Sequence, residues 1–276
     1  MMKSILAVSE GGPDATMSFR LAARVAAEFD GAVDALHLPV GPAGGMVGGL
    51  AMSGEAMPLI MNLDDERLEQ RSAESERAYK ETLALVKGAT YTAAKTATLD
   101  AMVAMGRCSD LLVLGRPGAD PENVAPATVE AALYECARPV LIAPPDPASG
   151  DFKSIVVAWN GSFQAARALE YALPFLIKAS KVTLLVVGSK PDDVGASYLA
   201  RNLGRHGIKT TIDAIDPGAV SGRARGRALL GYTHDKKADM LVMGAYGRGQ
   251  VLSFLGLGGA TGKVISSCRV PLLMAH

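Results

Sequence analysis

Seven glycines crowd the 19 residues from Gly244 to Gly262, in two runs: Gly244-Ala245-Tyr246-Gly247-Arg248-Gly249, then Gly256-Leu257-Gly258-Gly259-Ala260-Thr261-Gly262-Lys263. Glycine lets a backbone approach a phosphate closely. Free N–H groups at a helix start point toward such a group, and the helix dipole favours its negative charge. Arg248 and Lys263 add positive charge nearby. A third stretch, Ala158-Trp159-Asn160-Gly161-Ser162, is a turn-like sequence after an apolar run. The chemistry implied is the holding of an anion.

Other chemistries find less support. Gly262-Lys263 ends like a P-loop, but Leu257 stands where the first glycine is needed and Val264 replaces the Ser/Thr. Gly256-Leu257-Gly258 is misplaced for a dinucleotide fingerprint, because it follows a fourth strand. The sequence has no H-E-x-x-H and no G-x-S-x-G, and its four histidines, His37, His206, His234 and His276, are scattered. Cys108, Cys136 and Cys268 lie far apart without metal-ligand spacing and read as buried free thiols. Arg223, Arg225 and Arg227, with Lys236 and Lys237, read as the solvated face of a helix, and Trp159 as a packing residue.

The elements that must position the glycines come from a repeat. At 276 residues, 49% hydrophobic and 20% charged, the chain is long enough for two packed domains. Lys3-Ser4-Ile5-Leu6-Ala7-Val8 returns 150 positions later as Lys153-Ser154-Ile155-Val156-Val157-Ala158. Asp110-Leu111-Leu112-Val113-Leu114-Gly115 returns as Asp239-Met240-Leu241-Val242-Met243-Gly244, and the strand after Pro139 returns after Pro271. The reading is α/β: two tandem copies of a five-stranded, parallel-sheet, doubly wound (Rossmann-like) domain, at 1–146 and 151–276, joined by a Pro/Gly-rich linker.

In the second copy, apolar runs predict strands near 154–159, 181–188, 209–216, 239–244 and 271–275, with helices near 162–179, 192–206, 218–237 and 259–268. The first copy mirrors this with strands near 3–9, 32–39, 91–98, 110–115 and 139–143. Its third helix is cut to a turn or two near 99–107. A glycine- and methionine-rich segment at 40–57 precedes a long helix expected to start at an Asn62 cap and to end at Lys87-Gly88. The two closing strands, 139–143 and 271–275, are expected to pair with each other within the chain.

The segments after the first and fourth strands of the second copy resemble the universal stress protein family. Its ATP-binding members carry a Gly-x-x-Gly followed by nine residues and then Gly-Ser or Gly-Thr. The resemblance covers nearly the whole chain as a tandem pair. It implies that Ala158, Trp159 and Asn160 border a nucleoside and that Val187 faces the base. It further implies that Met243, Gly244, Tyr246 and Gly247 line ribose and phosphate, with Arg248 nearby, while Gly258, Gly259, Ala260 and Thr261 cradle phosphates. Ten residues rather than nine separate Gly247 from Gly258, and Asn160 stands where the family has an aspartate. Asparagine keeps the hydrogen bonding but loses a charge that could hold a metal-bound nucleotide.

Net charge follows the same division. Residues 1–148 hold 12 Lys and Arg against 20 Asp and Glu, a net of −8, whereas 149–276 hold 16 against 8, a net of +8. Clustered charge of one sign raises the local concentration of the other. The first copy has Gly115-Arg116-Pro117-Gly118 but no glycine before Thr128, and Asp120 and Glu122 bring negative charge, so its site reads as degenerate. The resemblance therefore implies a cytoplasmic stress-response protein that binds an adenine nucleotide, ATP or AMP, in the second copy. No metal is implied beyond Mg accompanying ATP. Intrachain pairing of the copies and a possible homodimer are the expected assembly, with no nucleic-acid or membrane partner. With no general base or carboxylate cluster at the site, a binding protein is expected rather than an enzyme. A nucleotide-free interaction module, or a slow ATPase or adenylyl transferase, are the alternatives.

Overall fold

A computed structural model of the chain describes residues 2–39, 57–95, 99–117, 123–145, 151–218, 221–246 and 259–276. Outside them lie residues 40–56 of the glycine- and methionine-rich segment, Asp120 and Glu122, and the site candidates Gly247, Arg248 and Gly258. The chain divides into two compact units, Met2–Cys136 and Ala137–His276.

In the N-terminal unit, strands β1 (Ser4–Ser9), β2 (Ala32–His37), β3 (Thr90–Ala93) and β4 (Leu111–Leu114) form a parallel sheet in the order β3-β2-β1-β4. Helices α1 (Pro13–Phe29), α2 (Met57–Thr82), α3 (Asp100–Cys108) and α4 (Pro126–Glu135) alternate with or follow them. All four residues of β4 are buried, as expected of a strand covered on both faces.

The expectations for α2 and Cys108 need correction. Helix α2 is already formed at Met57, so Asn62 lies inside it rather than capping it. Helix α2 ends at Thr82, before Gly88: Leu83 still makes the regular bond to the Tyr79 carbonyl, but the Ala84 N–H falls on that same carbonyl instead of Lys80's, which ends the ladder. Helix α3 falls within one residue of the short helix expected near 99–107. Cys108 is exposed, whereas Cys136 and Cys268 are buried free thiols.

The C-terminal unit holds β5 (Val140–Ile142), β6 (Ser154–Ala158), β7 (Lys181–Val187), β8 (Thr210–Ile215), β9 (Met240–Gly244) and β10 (Leu272–Ala275), in the order β5-β10-β9-β6-β7-β8. Its helices are α5 (Phe163–Lys178), α6 (Ala196–Arg205), α7 (Gly222–Asp235) and α8 (Ala260–Ser267). The helix expected over 192–206 is split, because Gly195 takes a left-handed conformation (φ 69°) between a 3-10 turn at Asp192–Val194 and α6. Strands β6 to β10 run parallel, and β5 pairs antiparallel with β10, Leu272 opposite Ile142 and Met274 opposite Val140. The strands following Pro139 and Pro271 thus lie side by side.

One device is built twice. Asp110, just before β4, accepts from the N–H groups of Lys3 (2.8 Å) and Ser4 (3.1 Å); Asp239, just before β9, accepts from Lys153 (3.0 Å) and Ser154 (2.8 Å). Each aspartate pins the start of a first strand beside a fourth. That fixes where the carboxyl ends of both strands emerge. Because β6 has β9 on one side and β7 on the other, the strand order reverses there, and a crevice opens beyond the strand ends.

Candidate functional site

A cavity of about 470 Å³ occupies that crevice in the C-terminal unit. From β6 come Ala158 and the following loop, Trp159 to Ser162; from β7 come Leu185 and Val187, with Ser189 just beyond; from β9 come Met243 and Gly244, with Tyr246 just beyond. Helix starts supply Gln164 of α5, Gly222 and Arg225 of α7, and Gly259, Ala260 and Thr261 at α8.

Trp159 is half-buried and donates its indole N–H to the Val194 carbonyl (2.7 Å), so the ring is anchored as part of the wall. Asn160 turns its amide oxygen back onto its own loop, accepting from the Ser162 N–H (3.1 Å) and hydroxyl (2.7 Å). Ser162 in turn caps α5 by accepting from the Ala165 N–H. Tyr246 holds a left-handed backbone (φ 46°), and its carbonyl accepts from the Gln164 amide (3.3 Å). Gln164 is buried, and its side-chain oxygen makes no hydrogen bond.

Helix α8 differs from its neighbours at the start. Ser162 caps α5 and Ser221 caps α7 through their hydroxyls. Gly259 precedes α8 with φ 118°, a conformation other residues rarely adopt, and offers no side-chain cap. The first N–H groups of a helix have no partner within it. At α8 the residues of that start, Gly259, Ala260 and Thr261, line the cavity, at the positive end of the helix dipole. Helix α7 comes close enough that a Cβ on Gly222 would lie 2.9 Å from the Gly259 Cα. That approach sets Arg225 on the cavity wall beside Gly188.

The cavity brings together Ala158, Trp159, Asn160, Val187, Met243, Gly244, Tyr246, Gly259, Ala260 and Thr261. Two readings of basic residues change. Lys263 is absent from the lining, and its Nζ donates to Ser267 one turn further along α8 (3.0 Å). Arg225, read from sequence as part of a solvated face, is exposed and also lines the cavity. The signal was available: Gly222, Arg225 and Leu229 are spaced three and four apart, one face of a helix, and all three line the wall. Among the described residues, no cluster of three or more His, Cys, Asp or Glu could hold a metal ion. No helix among them is long and apolar enough to cross a membrane.

The class of protein defined here is a doubly wound α/β domain with a ligand-sized crevice at its switch point. The family model of the universal stress protein family matches residues 151–276, and that part of the chain is a universal stress protein domain. In backbone structure the chain is similar to a universal stress protein from Archaeoglobus fulgidus DSM 4304, with a TM-score of 0.65 and 17% identity over 100% of this chain and 96% of that one. A structure from Pseudomonas aeruginosa UCBPP-PA14 matches with a TM-score of 0.55 and 14% identity, over 99% of this chain and 93% of the other. At such identities the likeness speaks for the fold, which is two tandem Rossmann-like domains. No curated protein sequence matches the chain.

Proposed function

We propose that the C-terminal unit binds an adenine nucleotide, ATP or AMP, and that the protein acts in stress response as a ligand-responsive regulator rather than as an enzyme. The observation that carries this reading is the uncapped start of α8 at the floor of a cavity large enough for a nucleotide. A phosphate there would accept from the free N–H groups and lie at the favourable end of the dipole. Arg225 supplies positive charge on the cavity wall. Asn160 spends its oxygen on its own loop, so magnesium would enter only with ATP. In this reading the Trp159 ring and Val187 flank the nucleoside, and Gly247, Arg248 and Gly258 complete the phosphate loop.

Mass spectrometry of ligand released by denaturing protein purified without added nucleotide tests the proposal. Release of a nucleotide near one per chain is expected. Empty protein that also fails to bind ATP or AMP in titration calorimetry would sink it. Turnover of ATP followed over hours separates the regulator from a slow hydrolase.

A further inference from the structure

Glu10 directly follows the first strand of the N-terminal unit, at the position that Asn160 holds in the C-terminal one, 150 residues later. Its surface is only 3% exposed. A carboxylate in such a place is costly unless hydrogen bonds replace the water it has lost. Glu10 has them at the start of α4: one oxygen accepts from the Ala125 N–H (2.9 Å) and the other from the Thr128 hydroxyl (2.5 Å). Ala125 offers α4 no side-chain cap and Pro126 has no N–H, so the carboxylate, from 115 residues away, sits at the helix start on the N–H that precedes α4 and the hydroxyl of its first turn, where the dipole favours negative charge.

The loop carrying Glu10 is held from the other side by α2. Arg71, with 6% of its surface exposed, donates its Nε–H to the Glu10 carbonyl (2.6 Å), and Glu74 accepts from the Gly12 N–H (3.1 Å). Asn160, by contrast, is exposed and engaged only with its own loop among the contacts described. Glutamate is one methylene longer than asparagine and charged, and it reaches across to the helix.

We infer that Glu10 is a built-in anion: its carboxylate takes the hydrogen bonds that the start of α4 would give a phosphate, and so holds the N-terminal unit closed to phosphorylated ligands. The contact is autoinhibitory in form. It stands whether or not the C-terminal unit binds a nucleotide.

The test is made on the full chain with Glu10→Asn, which copies the residue of the other unit, and inorganic phosphate as the probe. Hydrogen exchange of the 126–135 backbone is followed by mass spectrometry in phosphate and in chloride at equal ionic strength. In the wild type, exchange should be slow and indifferent to phosphate. In the variant it should speed up roughly tenfold in chloride, the order expected for the loss of buried hydrogen bonds to a charged group, and phosphate should restore much of the protection. Glu10→Gln, with the same shape and no charge, is measured alongside and should also gain phosphate-dependent protection. Indifference to phosphate in whichever variant folds overturns the inference, as does a wild-type response as large as the variant's.

Discussion

The carboxyl ends of β1 and β6 are the same place built twice, and they differ in what fills them. At β1, Glu10 crosses to α4 and spends the helix start on a carboxylate of the chain itself. At β6, Asn160 folds back onto Ser162, and the start of α8 is left to a cavity. Each helix carries a threonine in its first turn, put to different use. Thr128 donates to Glu10, whereas Thr261 accepts from the Tyr246 N–H (3.3 Å) and steadies the loop leaving β9. The device that aligns the strands, an aspartate before the fourth, is shared; under the inference above, the side chain that follows the first strand makes the difference.

The sharpest way to break this contrast is to close the open side. Gly259→Val places a β-branched residue at φ 118°, where backbone strain costs about 1–3 kcal/mol. ATP affinity measured by calorimetry should fall about tenfold or more. Exchange in α4 should not change. Wild-type protein should bind one nucleotide per chain, and a stoichiometry of two would erase the distinction between the units.

A smaller effect separates two arginines of one helix. Arg225 lines the cavity, whereas Arg223 is not among its lining residues. Arg225→Ala should weaken ATP binding by roughly tenfold at low salt, an order set by one charge-assisted hydrogen bond, and less at physiological salt because the side chain is exposed. AMP, with fewer charges, should lose less. Arg223→Ala should leave both unchanged, and equal losses from the two variants would place the basic charge of α7 outside the site.

Much of this was legible before any coordinates. Apolar runs without alternation marked the buried strands, and the repeat of Lys3-Ser4 and Asp110 as Lys153-Ser154 and Asp239 marked how they align. Glycines around Gly244 and Gly259 marked the crevice, since a backbone that must come close to something has few other options. Glu10 was missed because its partners lie 115 and 118 residues away, and nothing local distinguishes a carboxylate that reaches a helix from one that faces water. The sequence did hold one hint: a charged residue directly after an apolar strand, where the repeat has a neutral one. Lys263 was misplaced for a different reason. Its backbone is near the site, but a four-carbon stem let its charge travel to Ser267.

The faintest expected difference lies in how the units meet acid. His37 ends β2 with 1% of its surface exposed. Burial holds its pKa below the ordinary value of 6.5; the Ser9 backbone pulls upward, and the charge of Arg71 adds to the depression. Extending the β6–β7 register by one residue puts Val186, which cannot titrate, at the matching place in the C-terminal unit. A histidine whose folded pKa is depressed contributes stability that is whole above the unfolded value. As pH falls below about 6.5 the unfolded chain takes up a proton that the folded one refuses, and that contribution drains away by at most about 1.4 kcal/mol per pH unit. Hydrogen exchange, corrected for its intrinsic pH dependence, should therefore show β1 and β2 losing protection between about pH 7 and pH 5 while β6 and β7 hold theirs. His37→Val should flatten the loss in the N-terminal unit. Equal loss in both units, or a variant as acid-sensitive as the wild type, would show that this buried imidazole is not what sets the two apart.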